Sequence, residues 1–161
     1  MPDREPGLLE DLYREILLDH YRNPRNRGAM EGPSCSADGA NPLCGDTVHV
    51  DVGLEDGAIG AIRFTGAGCS ISQASASMMT EYVRGKTVAD AEAAIGAFQA
   101  MMLEGESPVD DFGDIEALAG VAKFPARVKC ASLAWKTLGQ ALEHPEGMRP
   151  VTTDERSATH G

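Results

Sequence analysis

Aromatic residues are scarce in this 161-residue chain, which has one Trp, three Tyr and four Phe. Its core must therefore rest on Leu, Ile, Val, Met and Ala. Basic residues are also few: 14 Lys and Arg stand against 25 Asp and Glu, for a formal net charge of −11. A polyanion would be repelled, which excludes a general nucleic-acid binder and leaves the surface open to a partner with a basic docking patch. No run approaches the roughly 20 apolar residues that span a bilayer, so no membrane role is expected. The opening Met1-Pro2-Asp3-Arg4-Glu5-Pro6 lacks the apolar stretch of a signal peptide, and a cytoplasmic location is the expectation. Only four cysteines occur. In a reducing compartment these point to metal or redox chemistry more than to disulfides.

What is present reads as one domain of ordinary globular composition, long enough to bury a core without staples. Residues 8–21 carry a wide apolar stripe of Leu9, Tyr13, Ile16, Leu17 and Tyr21, the pattern of an amphipathic helix that Asn23-Pro24 stops. Val48-His49-Val50-Asp51-Val52 alternates with period two, Glu55-Asp56-Gly57 is a turn signal, and residues 59–64 offer a return strand. A third strand is expected over residues 34–40. Helices are predicted over 70–84, with Gly85 at the end, and over 87–103, where Thr87 and Asp90 stand as a capping box. A short helix over 115–119 and a last one over 125–144 follow, the latter with Val128, Ala131, Trp135, Leu138 and Leu142 at helical spacing. The expected fold is α+β, a small three-stranded antiparallel sheet packed against a bundle of helices, formed by residues 1–144. Residues 145–161 have little to bury and read as a disordered tail.

Three places carry chemistry. In Cys44-Gly45-Asp46 the glycine lets a thiolate and a carboxylate turn to one side, and both are good zinc ligands. Taken alone this is a weak signal, and reads more readily as a buried cysteine before a turn aspartate. Cys69 follows Gly66-Ala67-Gly68 at the start of a predicted helix, where free N–H groups and the helix dipole favour a thiolate. It could also be a thiol buried in that helix. Cys130 comes after Arg127 and Lys129, whose charges would favour a thiolate and offset an anionic site. The same two residues could simply form a solvated face. Cys44, Asp46, Cys69 and Cys130 together would close a tetrahedral shell, yet their separations are far longer than the tight pairs of a zinc finger. Ligands scattered over glycine-hinged loops suit a site that exchanges them. Cys35 reads as a small hydrophobic filler or a spare thiol. His20 is placed on the polar side of the first helix, and His49, His144 and His160 have no assigned role.

The segments 12–21 (LYREILLDHY), 41–46 (NPLCGD), 68–74 (GCSISQA) and 125–130 (PARVKC) resemble, in this order, the SufU branch of the IscU/NifU-like superfamily of iron–sulfur cluster assembly proteins. The resemblance covers roughly residues 8–142. It implies the α+β fold above and one metal ion held by Cys44, Asp46, Cys69 and Cys130. IscU-type members are scaffolds for a [2Fe–2S] cluster, whereas SufU-type members bind zinc and take sulfur from a SufS-type cysteine desulfurase. Scaffold members have a histidine before the third cysteine and an L-P-P-V-K chaperone motif upstream. This chain has Lys129 and Phe124-Pro125-Ala126-Arg127-Val128, and a longer stretch between Cys69 and Cys130. The expectation is a zinc-dependent sulfurtransferase with Cys44 as the acceptor and Arg127 touching the desulfurase or steadying the anionic sulfur. Its product would pass to downstream cluster-assembly proteins. Iron or a transient [2Fe–2S] cluster on the same four residues is the alternative.

Overall fold

The structure, a computed structural model, describes residues 4–42, 45–106, 112–143 and 151–152, with the side chains of 4–11 and 151–152 left aside. The elements run α1 (Arg4–Arg22), β1 (Cys35–Asn41), β2 (Asp46–Glu55), β3 (Ala58–Ala67), α2 (Ser70–Val83), α3 (Val88–Glu104), a 3₁₀ segment (Gly113–Lys123), α4 (Pro125–Glu143) and a short β4 (Val151–Thr152). Three antiparallel strands form the sheet, as the alternation at Val48–Val52 predicts. Val151 and Thr152, inside the segment read as a tail, add a fourth strand parallel to β1, giving the order β3-β2-β1-β4.

Val48, Val50 and Val52 point from β2 into the core, with Ile62 and Phe64 beside them on β3. Ile59 is buried too, although it lies three residues from Ile62. A register shift opposite Gly53 and Leu54 accounts for this, since an extra residue in β3 returns Ile59 to the inner face. α2 and α4 cover that face, and α1 packs on α2 and the 3₁₀ segment.

Helix α3 begins where the capping box places it, with the Thr87 hydroxyl accepting from Asp90 N–H at 3.0 Å. Its buried residues Ala91, Ala94, Ile95, Phe98 and Met101 recur every three to four positions, one helical face. Phe98 stacks on Trp135 of α4 at 4.6 Å between centroids, and Phe112 meets the Trp135 ring edge-on at 6.2 Å. Phe98, Phe112 and Trp135 thus meet within the helical layer. The 3₁₀ segment is longer than the short helix expected over 115–119. On α1, Tyr13, Ile16 and Leu17 pack on the core, but Leu12 and Tyr21 are exposed. Among the described residues no helix is long and apolar enough to cross a membrane.

Candidate metal centre

One carboxylate and two thiols meet where the β1–β2 hairpin, the start of α2 and the first turns of α4 converge. Asp46, Cys69 and Cys130 each offer one ligand atom, and these atoms lie within 4.8 Å of one another. Cys44 lies outside the described residues.

Asp46 is the first residue of β2 and pairs across the ladder with Asn41, the last of β1. Residues 42–45 are the connection between them. Gly45, at φ 74°, donates its N–H to the Asn41 carbonyl at 2.8 Å. Asp46 is only 1% exposed. Its Oδ1 accepts the Cys69 N–H at 2.9 Å, while Oδ2 is buried with no hydrogen-bond partner among the described residues. A buried carboxylate oxygen left bare is costly, and a cation is the partner that best offsets the cost.

Cys69 is the N-cap of α2, but its side chain makes no capping bond. Its carbonyl accepts instead from Gln73 N–H at 3.1 Å and from the Ser72 hydroxyl at 3.1 Å, so the sulfur is left to other tasks. Gly68 is required by close approach. A β-carbon there would overlap Asp46 Oδ1 and lie 2.6 Å from Ser72 Oγ. The thiol is half-buried, whereas that of Cys130 is 2% exposed. Cys130 Sγ lies 3.6 Å from the Ala126 carbonyl one turn earlier in α4 and 3.9 Å from Asn41 Nδ2.

Helices α2 and α4 are locked together directly beneath the centre. The Ser75 hydroxyl donates to the Ala131 carbonyl at 2.6 Å and accepts from Trp135 Nε1–H at 3.0 Å. This fixes the helix carrying Cys69 against the helix carrying Cys130. In a tetrahedral site with ordinary bond lengths the ligand atoms stand roughly 3.4–3.8 Å apart, so a bound ion would require only a modest contraction. A hard carboxylate oxygen beside soft thiolates matches zinc or iron chemistry.

Arg127 lies on the exposed side of α4, one turn before Cys130, and Lys129 is half-buried. Cys35 sits in the core at the start of β1, where burial pushes its thiol up from the ordinary value. It is the hydrophobic filler of the two roles open to it. His20 corrects the sequence reading. Instead of facing solvent it is fully buried, with Nδ1 2.8 Å from Ser77 Oγ and Nε2 2.9 Å from Asp114 Oδ2. Glu81 Oε1 is 3.9 Å from Nε2. The group ties α1 to α2 and to the 3₁₀ segment. His49 bridges Asp38 and Asp51 at 2.7 Å each. Partial burial pulls its imidazole down, but the hydrogen bonds and charges of the two carboxylates outweigh this and raise it overall.

These features define an α+β domain whose hairpin and two helices assemble a thiol–carboxylate centre. The family model described as the NifU-like N terminal domain matches residues 12–131, and the chain belongs to this family. It is 46% identical over 141 residues to the zinc-dependent sulfurtransferase SufU of Bacillus subtilis, covering 86% of this chain and 95% of that one. The iron–sulfur cluster assembly scaffold protein IscU of Streptococcus pyogenes is 39% identical over 145 residues, covering 89% and 91%. Among solved structures, FiSufU of Fervidobacterium islandicum AW-1 matches with a TM-score of 0.74 at 35% identity, covering 80% of this chain and 94% of that one. A Brucella abortus NifU-like protein (N-terminal) matches with a TM-score of 0.77 at 27% identity, covering 85% and 96%.

Proposed function

We propose that the chain is a zinc-dependent sulfurtransferase of iron–sulfur cluster biogenesis. It accepts persulfide sulfur from a SufS-type cysteine desulfurase on Cys44 and passes it to downstream cluster-assembly proteins. The observation that carries this reading is the buried Asp46 Oδ2, which has no hydrogen-bond partner among the described residues, beside Cys69 and Cys130. The likeness to the Bacillus subtilis zinc-dependent sulfurtransferase supports the choice of metal and activity. Asp46, Cys69 and Cys130 hold the ion together with Cys44. Zinc bound there would keep its sulfur ligands as thiolates at neutral pH.

The chemistry belongs to Cys44. Its thiolate attacks the outer sulfur of the desulfurase persulfide, R–S–SH. A new S–S bond forms to Cys44, the old one breaks, and the desulfurase cysteine departs as a thiolate. Cys44 then carries the sulfur as a persulfide, with its proton. Asp46, held by the Cys69 N–H, keeps the end of the Cys44 loop against α2. Arg127, exposed one turn before Cys130, is a contact for the desulfurase.

A scaffold that builds a [2Fe–2S] cluster on the same residues is the second reading, favoured by the likeness to the Streptococcus pyogenes scaffold protein. Lys129, where scaffold members place a histidine, weighs against it. The two readings separate in an anaerobic assay with cysteine, iron and a desulfurase. Sulfur transfer predicts persulfide on Cys44 and no stable visible chromophore. A scaffold predicts a brown protein with acid-labile sulfide, made longer-lived by Asp46→Ala.

A further inference from the structure

A buried amide rarely goes without hydrogen-bond work, and Asn41 is fully buried at the edge of the centre. Its side-chain Nδ2 faces Cys130 Sγ at 3.9 Å, the outer reach of an N–H···S contact. Its backbone carbonyl accepts the Gly45 N–H, which closes the connection that carries Cys44. In the ladder it stands opposite Asp46. One residue therefore touches three of the four groups assigned to the site: Cys130 through its side chain, Asp46 through the register, and the Cys44 loop through its backbone.

We infer that Asn41 is the positioning residue for the Cys130 thiolate, donating a hydrogen bond that strengthens when a metal is bound and so anchors this ligand. The inference rests on the four-ligand reading given above. Its physical basis is a difference between two states. A neutral thiol is a weak acceptor, whereas a metal-bound thiolate carries charge, and charge-assisted hydrogen bonds are shorter and stronger. The amide thus favours the loaded centre over the empty one. A donated hydrogen bond also withdraws charge from sulfur and makes it a poorer nucleophile. Cys130 is accordingly held as an anchor in a buried position, while sulfur chemistry falls to the hairpin cysteine. Partners that orient metal ligands from outside the ligand set commonly contribute tenfold or more to affinity.

The test uses Co²⁺ as a spectroscopic stand-in and Zn²⁺ for affinity, on the full chain and on Asn41→Leu and Asn41→Asp. Leucine removes the donor but keeps the branched outline and the backbone bond to Gly45. Aspartate is isosteric and sets an acceptor against the sulfur. Wild type should show intense thiolate-to-cobalt absorption. In Asn41→Leu these bands should move to lower energy, because sulfur regains electron density, and zinc should transfer to a chromophoric chelator about tenfold faster. Asn41→Asp should lose zinc faster still. Metal-free melting temperatures separate this from packing, since a merely structural asparagine lowers them and leaves the cobalt bands of the folded variant in place. Unmoved bands and unchanged zinc release in whichever variant folds would overturn the role of Asn41 alone. Absence of thiolate–cobalt bands in wild type would instead overturn the ligand reading, and this inference with it.

Discussion

Asp46 is buried, with one oxygen satisfied by the Cys69 N–H and the other without a partner among the described residues. That division lets two roles be separated by one atom. Asp46→Asn keeps an oxygen for the Cys69 N–H but removes the negative charge. The metal-free protein should therefore melt no lower than wild type, while zinc affinity should fall by at least about tenfold, measured by chelator competition. Equal zinc affinity would remove Asp46 from the ligand set. Gly68→Ala acts on the same carboxylate by crowding. Its β-carbon would overlap Oδ1 and press on Ser72 Oγ. An overpacking cost of about 1–3 kcal/mol is expected in denaturant titrations, together with weaker zinc binding. His49 supplies a pH signature on the sheet. Its folded pKa is raised, so its contribution to stability is complete below the unfolded imidazole value of about 6.5 and is lost as pH rises through the folded value. The urea midpoint of wild type should exceed that of His49→Gln at pH 5.5, and the gap should close by pH 8.5.

At the scale of elements, the centre depends on two helices being held in register by Ser75. Ser75→Ala would leave the Trp135 indole N–H and the Ala131 carbonyl without this hydroxyl, at a cost of about 1–3 kcal/mol. Because Cys69 caps one of these helices and Cys130 lies in the second turn of the other, zinc affinity should fall along with stability. A loss of stability with unchanged affinity would show the two helices to be independent of the site. The elements themselves were largely legible in the sequence. Alternation at Val48–Val52, the Thr87–Asp90 box and the Trp135 spacing are local signals, and each produced the expected element. His20 was not legible, because its burial comes from Ser77 and Asp114, which are 57 and 94 residues away. Neither was Asn41. An asparagine before proline reads as turn punctuation, and nothing local reveals that its amide faces a sulfur 89 residues away. The return of Val151–Thr152 to β1 was hidden for the same reason, since a polar, Pro-containing segment carries no strand signal of its own.

At the scale of the molecule, a sheet with helices on one face brings a hairpin end and two helix starts to the same edge. The three described groups come from sequence positions far apart, and only the assembled fold puts them within ligand distance. The strongly acidic surface suits docking to a basic partner, with Arg127 exposed near the centre as a local exception. The measurement that tests the central claim most directly is zinc content of the purified protein, followed by turnover of a SufS-type cysteine desulfurase with and without it. About one zinc per chain is expected, with strong stimulation that disappears in Cys44→Ala. Protein that lacks zinc, or stimulation that survives in Cys44→Ala, would contradict that claim.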